Sequence, residues 1–517
     1  MISVSSFPGQ TFYSFLLSAA VIAGCPFTSN VATAQKLAQA EKNADRIKPY
    51  AANPRYWQYH GKPVLLLGGS KDDSLFQIPG LKNHLDEIQA AGGNYIRNTM
   101  SDRRSKKTSQ GSGGTEVFGY EVYPFKQLPS GKYDLNQWNN EYWKRFANML
   151  KWTHERDILV QIEVWDRFDY TDFRGANHWR QHPYNPTNNI NYTSENSGLA
   201  TEYSKNHPGR DVQPFFHTIP GMDKYQPKYD TIRRYQERFV DKLLSYSLPY
   251  GNVLYCMNNE TSSSPKWGRY WIKFIRHRAQ ELGVDAYTTD MFDNGFTPEE
   301  SQEIRLSFDQ PDIYNFIDIS QVNSRSYNED HWDKLMWYSR EIKKYPRPLN
   351  NTKIYGSGYK TFGTGAPEDG VERFWRDLFS GCASVRFHRP DSGNGLNDFA
   401  KGSIKAARTL EGLVKFWELT PRMDLLSHRQ SNEAYLVAKP GEAYALYFTN
   451  GGSVDVDLSG ATKSFDVTWL SISMGIPVQT SATGRYRLMD KTVDRGSAVT
   501  FSAPYKGPWV VAIVPAK

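Results

Sequence analysis

The sequence predicts an α/β fold: a (β/α)8 TIM barrel followed by a small antiparallel β-sandwich domain. Three observations carry this. Between residues 56 and 416, eight apolar strand-like runs alternate with helical patterns, as expected for a parallel sheet covered on both faces. Eight such units over about 360 residues suit a barrel with long loops. No GxGxxG follows the first run, which disfavours an open doubly wound sheet. After Thr420 the hydrophobic period drops to that of strands, and short alternating runs between Gly, Pro, Asn and Asp turns read as a sandwich of about 95 residues.

The elements follow in order. A turn at Gly61 and Lys62 leads into a buried strand over 63–69. Residues 81–91 have helical period and end at Gly92 and Gly93, a C-terminal cap signal. A second strand covers 94–98; a helix over 135–156 feeds a third strand over 158–166. A polar loop rich in Asn, Tyr, Pro and His spans 170–225, then a helix over 229–246 precedes the strand 252–260. Helix 267–283, strands 285–293 and 313–320, helix 331–344, strand 352–356, helix 371–380, strand 383–388 and helix 401–419 complete the barrel. The sandwich strands are 433–439, 443–449, 453–458, 465–473, 498–503 and 509–514. No repeat of 20–50 residues is evident.

The expected division is residues 1–34 as a signal peptide, 35–50 as a linker, 51–420 as the barrel and 421–517 as the sandwich. No charged residue precedes Lys36, and the apolar run 15–24 is shorter than the span of about 20 residues that a bilayer needs. Ala32, Thr33 and Ala34 form a small-x-small cleavage pattern. Ile22, Ala23, Gly24 and Cys25 resemble a lipobox, which offers a lipid anchor at Cys25 as the alternative. The expected location is therefore periplasmic or extracellular, or on the surface through that lipid. Of the other cysteines, Cys256 and Cys382 sit in apolar runs and read as core thiols. No CxxC or Cys/His spacing suggests a metal.

Lys and Arg number 62 against 55 Asp and Glu, a net charge of +7 without any basic block. That excludes a phosphate-tracking nucleic-acid binder and leaves an anionic glycan open. Aromatics make up 14% of the chain, which suits either sugar stacking or a large core.

Barrel chemistry lies at the C-terminal strand ends, and polar residues concentrate there. Arg97 and Asn98 end the second strand, and Glu163, Trp165 and Asp166 the third. Asn258, Asn259 and Glu260 end the fourth, Asp290 and Asp293 the fifth, and Gln321 the sixth. Lys353 and Tyr355 lie on the seventh, Arg386 and His388 on the eighth. Alternation puts Gln161, Glu163 and Trp165 on one face, with Trp165 either a sugar platform or core. Arg97 and Arg386 line a positive site or tie the barrel together as buried ion pairs. Asp290 and Asp293 are the weaker catalytic candidates, since they also suit helix caps. Trp179, Tyr184, Tyr192 and Tyr203 in the long loop bind sugar or pack the loop down.

The run Tyr255 to Thr261 ends the fourth strand in Asn259 and Glu260. It resembles the retaining (β/α)8 glycoside hydrolases of clan A. The resemblance implies an acid/base role for Glu260, with Asn259 on the neighbouring sugar hydroxyl. The opening from Trp57 to Gly69 looks like the start of apiosidase-like, DUF4038-type members, which also carry a C-terminal β-sandwich. That family keeps a nucleophilic Glu at the end of strand seven, whereas this chain has Lys353 in the matching segment.

Three readings follow. In the leading one, the chain is a secreted glycoside hydrolase acting on a poly- or oligosaccharide. Glu260 is the general acid, its pKa raised by partial burial, and Glu163 or Asp166 is the second carboxylate. The substrate-binding set is Arg97, Asn98, Trp165, Asn259, Lys353, Tyr355, Arg386 and His388. In the second, the barrel binds glycan without chemistry. In the third, it is a uronate lyase: Lys353 or Arg386 neutralises the carboxylate while Tyr355 or His388 takes the α-proton. No metal or organic cofactor is implied, and the expected partner is a carbohydrate.

Overall fold

Eight parallel strands form the ring: β1 (Leu66–Gly69), β2 (Tyr95–Thr99), β3 (Leu159–Asp166), β4 (Val253–Asn259), β5 (Thr288–Thr289), β6 (Ile317–Asp318), β7 (Leu349–Ile354) and β8 (Ser384–Phe387). This computed structural model describes residues 43–101, 122–173, 177–203, 213–293, 299–357, 363–460, 464–472, 476–477, 485–487 and 498–516. The expected leader, Ala34 and Cys25 lie outside the described residues. The strands neighbour one another in the order β5-β4-β3-β2-β1-β8-β7-β6. The gap between β5 and β6 is bridged by Asn315 N–H donating to the Thr288 carbonyl at 3.0 Å. Arg276 crosses the same seam to Thr288 and to the Ile313 carbonyl. Every residue of the eight strands is buried, as in a parallel sheet covered on both faces.

One helix follows each strand: α1 (Leu81–Ala90), α2 (Asn140–His154), α3 (Asp230–Ser247), α4 (Pro265–Leu282), α5 (Gln302–Asp309), α6 (Asn328–Glu341), α7 (Pro367–Ser380) and α8 (Asp398–Glu411). Their starts are set by local chemistry. Ser264 accepts from Lys266 N–H with Pro265 in the first turn, and Asn397 accepts from Ala400 N–H.

Three expectations need correction. Residues 135–138 belong to a hairpin (Phe125–Gln127 with Tyr133–Trp138), and α2 starts only where Asn139 accepts from Glu141 N–H. The apolar run 63–69 is divided: Lys62–Val64 pairs antiparallel with Asn53–Tyr59, and only Leu66–Gly69 enters the barrel. The runs 285–293 and 313–320 supply two-residue strands, β6 being cut short where the Asp318 carboxylate accepts from Ser320 N–H and turns the chain.

The C-terminal region is antiparallel. Strands β9 (Ala434–Lys439), β10 (Ala443–Phe448), β12 (Phe465–Ser471) and β14 (Trp509–Pro515) pair in the order β9-β10-β14-β12, while β11 (Ser453–Asp457) pairs with β13 (Ala498–Ser502) in a smaller sheet. Alternation decides what each face meets. Leu436, Leu446, Val511 and Ile513 pack against Val454, Val456 and Phe501 of the smaller sheet. Tyr435, Tyr447, Val510 and Ala512 join the barrel's own core, with Trp375 of α7 stacked on Tyr447. The larger sheet thus has apolar partners on both faces. No helix among the described residues is long and apolar enough to cross a membrane.

The strand-one glycines are needed for close approach. A Cβ on Gly68 would lie 1.9 Å from the Tyr95 carbonyl oxygen. Gly68→Ala is therefore expected to destabilise the chain by about 1–3 kcal/mol or more, measured as a fall in the urea midpoint at unchanged slope.

Candidate active site

The barrel interior is polar in two layers. The lower layer joins Tyr95, Gln161, Asp318 and Asn350. The Tyr95 hydroxyl donates to Gln161 at 2.7 Å, Gln161 Nε2 donates to Asp318 at 2.7 Å, and the Trp57 indole caps the layer from below through Asn350 at 2.9 Å. The upper layer carries charge. Arg97 forks onto both oxygens of Glu163 at 2.5 and 2.6 Å and donates to Asn259 Oδ1 at 2.8 Å. Its remaining nitrogen faces Asp73 at 2.7 Å. Asp73 also faces Arg386 and His388, each at 3.5 Å, and is in contact with Arg389.

Asn259 links this cluster to Glu260. Its amide donates to Asp166 at 3.1 Å, and its carbonyl accepts from Lys353 Nζ at 2.7 Å. Lys353 also grips Glu260 Oε1 at 2.5 Å. The lysine side chain is 1% exposed and the glutamate 17%, so the carboxylate alone of the pair reaches solvent. Glu260 follows β4 with φ of 58°, a left-handed conformation that an L residue adopts only under constraint.

Burial alone would raise the Glu260 pKa. The Lys353 ammonium, its hydrogen bond, Gln321 and Arg97 outweigh it and bring the pKa down to about 2. Asp293, half-buried after β5, goes the other way. Burial and the Glu260 charge push it up to about 7 against the pull of Lys353 and Arg167. Two carboxyls that feel each other's charge are thus driven to opposite protonation states at neutral pH. Asp290 is raised to about 6 by burial, opposed by the Asn258 amide, which donates to it. His388 is held well below its ordinary range by burial and by Arg386, Arg97 and Lys353. Burial and the Glu260 charge push the Tyr355 hydroxyl far up.

Solved structures share this architecture. A glycoside hydrolase family 5 structure from Bacteroides vulgatus ATCC 8482 has a TM-score of 0.57 at 11% identity, covering 91% of this chain and 94% of that one. A second, described as a glycoside hydrolase, also has a TM-score of 0.57 at 11% identity and covers 92% of this chain and 99% of that one. The fold is glycosidase-like. No protein-family model and no curated protein matches the sequence.

Within that glycosidase-like fold, Glu260, Asn259, Lys353, Tyr355 and His388 come together at the top of the barrel, Tyr355 and His388 with rings 5.1 Å apart. Other expectations are corrected. Trp165 is core, not a sugar platform: it is fully buried against Phe215, Phe239, Trp267 and Trp271. Strict alternation fails because Asp166 turns inward to Asn259 and caps the turn at Phe168 N–H, which leaves Trp165 facing the helices. Asn98 is likewise on the outer face, accepting from Phe76 N–H.

Arg97 and Arg386 are fully buried, and Arg386 is spent on Ser70 and the Thr352 carbonyl. Their contacts tie the barrel strands together. Glu163 is fully buried beneath Arg97, and Asp166 is 1% exposed. The expected upward shift of Glu260 is reversed by Lys353. Trp179, Tyr184 and Tyr192 are buried and pack the long loop, Trp179 donating to the Ala200 carbonyl and Tyr184 to that of Tyr235.

Asp73 escaped the sequence reading. The signal for it is the demand that buried Arg97 and Arg386 make for an anion, with Asp72 and Asp73 three and four residues after the end of β1. Nothing local in the sequence distinguishes Asp293 from a helix cap.

Lys353→Met removes one partner of the pair and is expected to destabilise the chain at pH 7 by about 3 kcal/mol, the low end for buried pairs because Glu260 keeps some solvent. The lowered Glu260 pKa contributes stability above the ordinary carboxylate range that is lost as pH falls towards 2. The variant should lack that component in denaturation curves taken between pH 2 and 5.

Proposed function

We propose that the chain hydrolyses a neutral glycosidic bond, with Asp293 as proton donor and Glu260 as the ionised carboxylate facing the anomeric carbon. The supporting observation is a neighbouring pair of carboxyls with opposed tendencies: Asp293 N–H donates to the carbonyl of Thr261, the residue after Glu260, at 2.8 Å, and Glu260 is brought down to about 2 while Asp293 is pushed up to about 7. A carboxylate that acidic is a weak base for water but stabilises positive charge and can act as a nucleophile. In this reading Asp293 protonates the leaving oxygen as the C1–O bond breaks, and Glu260 bonds to C1. Water then attacks C1, gives its proton to Asp293, and releases Glu260. Neutral sugar is favoured over anionic because Lys353, Arg97, Arg386 and Arg389 each already face a carboxylate. The same pairing removes support from uronate elimination, which needs a free cation for the substrate. The leader-like N-terminus points to action on glycan outside the cytoplasm.

A second reading, glycan binding without turnover, is favoured by the charge neutralisation of Glu260 by Lys353. A screen of neutral aryl glycosides and polysaccharides separates the two. A hydrolase is expected to show kcat/KM flat from about pH 3 to 7 and falling above about 7 as Asp293 loses its proton. Asp293→Asn should lower activity by about 10²–10⁴-fold, less for good leaving groups, and abolish the upper limb. Glu260→Gln should lose turnover and keep affinity. An upper limb unchanged in Asp293→Asn would remove Asp293 from the role, and no turnover on any substrate would leave the binding reading.

A further inference from the structure

A pocket of about 300 Å³ opens on the side of the barrel that carries the C-terminal strand ends, between α1, the residues that follow β1 and β8, and Ser357 and Pro367. That volume sits at the lower end of small-ligand sites, about 300–1,000 Å³. Its walls include His84, Glu87, Lys71, Asn394, Pro390 and Leu396. We propose that it is a subsite for a neutral sugar unit of a longer glycan whose scissile bond lies at Glu260. This rests on the hydrolase reading and adds to it a substrate class, an oligosaccharide chain.

The chemistry of the walls selects the ligand. His84 is 3% exposed. Its Nε2 accepts from Lys71 N–H at 3.2 Å while Nδ1 faces Glu87 at 3.3 Å, which puts its proton on Nδ1. Burial lowers its pKa to about 4, so the ring is a neutral wall. Lys71 and Glu87, both exposed, bring one charge of each sign, which suits hydroxyls better than an ion. Asn394 is 2% exposed; one amide hydrogen goes to the Pro367 carbonyl at 2.9 Å and its oxygen accepts from Asn397 at 3.2 Å. Its second amide hydrogen is left for a ligand oxygen. Pro390 and Leu396 offer the apolar patches that sugar C–H faces need.

The wall is also fixed in place. A Cβ on Gly370 would lie 2.8 Å from Asn394 Nδ2, and one on Gly393 would lie 2.5 Å from the His388 carbonyl oxygen. The loop from His388 to Asn397 therefore sits tightly on its neighbours, a preorganised surface. In the ring order β1 and β8 lie three and four strands from β4. A glycan that fills this pocket and reaches Glu260 therefore spans from the β1/β8 side of the ring to the β4 side.

The test uses full-length Glu260→Gln protein, which binds without cutting, and ladders of neutral xylo-, manno- and cello-oligosaccharides from two to six units. Calorimetry should show affinity rising by about tenfold or more between two and five units in at least one ladder. Lys71→Ala and Glu87→Ala, both exposed wall positions, should each erase most of that gain and leave the disaccharide affinity unchanged. Crystals soaked with the responding oligosaccharide should show a sugar ring in the pocket. No length gain in any ladder, or a gain that survives both variants, overturns the subsite. Length-dependent binding with no turnover by the unmutated chain would overturn the hydrolase reading and leave the pocket's role standing. Turnover without length dependence would do the reverse.

Discussion

A barrel whose strands are buried on both faces holds charge only as matched pairs, and that constraint organises this molecule. Moving a lone ion into such an interior costs far more than a fold can supply. Arg97 is fully buried because Glu163, Asp73 and Asn259 between them occupy its guanidinium. Asp73 is fully buried because Arg97, Arg386, His388 and Arg389 surround it. These contacts join β1, β2, β3 and β8 across the ring, so register and charge balance specify each other. At its β4–β7 side the network ends at Lys353 and Glu260, and there the glutamate reaches solvent. The Glu260 carboxylate, 17% exposed, stands at the solvent end of a largely buried ionic cluster.

Fold class was legible because it depends on quantities a sequence carries directly. The switch from helical to alternating period near Thr420 marks where the chain stops wrapping a barrel and starts pairing antiparallel strands. The sandwich strands fall within a residue or two of their expected ends because Gly, Pro, Asn and Asp fix the turns. Where a strand is only two residues long, as at β5 and β6, periodicity has nothing to count, and side-chain turns such as that of Asp318 decide the path.

The site was legible in its location and less so in its roles. Which strand ends are polar can be read from the chain. Which of those residues share a cavity depends on side-chain parity, and parity shifts near the top of β3. Gln161 and Glu163 face inward, then Asp166 does so in place of Trp165, since Asp166 bonds to Asn259. Protonation was harder still. Glu260 and Asp293 differ in pKa through the approach of Lys353 from β7, a residue 93 positions away in sequence. No local pattern encodes that approach.

The opposed shifts of Glu260 and Asp293 follow from one another. Lys353 keeps Glu260 ionised, and the negative charge so fixed is one of the terms that raises Asp293. If the glutamate charge were quenched by bond formation to an anomeric carbon, that term would vanish and Asp293 would become more acidic at the stage when it must give up a proton and then act as a base. The coupling therefore runs in the direction that a two-step displacement needs. It requires no movement of the protein, only that Lys353 remain held by Asn259 while the charge on Glu260 changes. Asn259 is held in turn by Arg97 and Asp166, so the rigidity of the buried cluster lets the exposed pair exchange charge without losing its geometry.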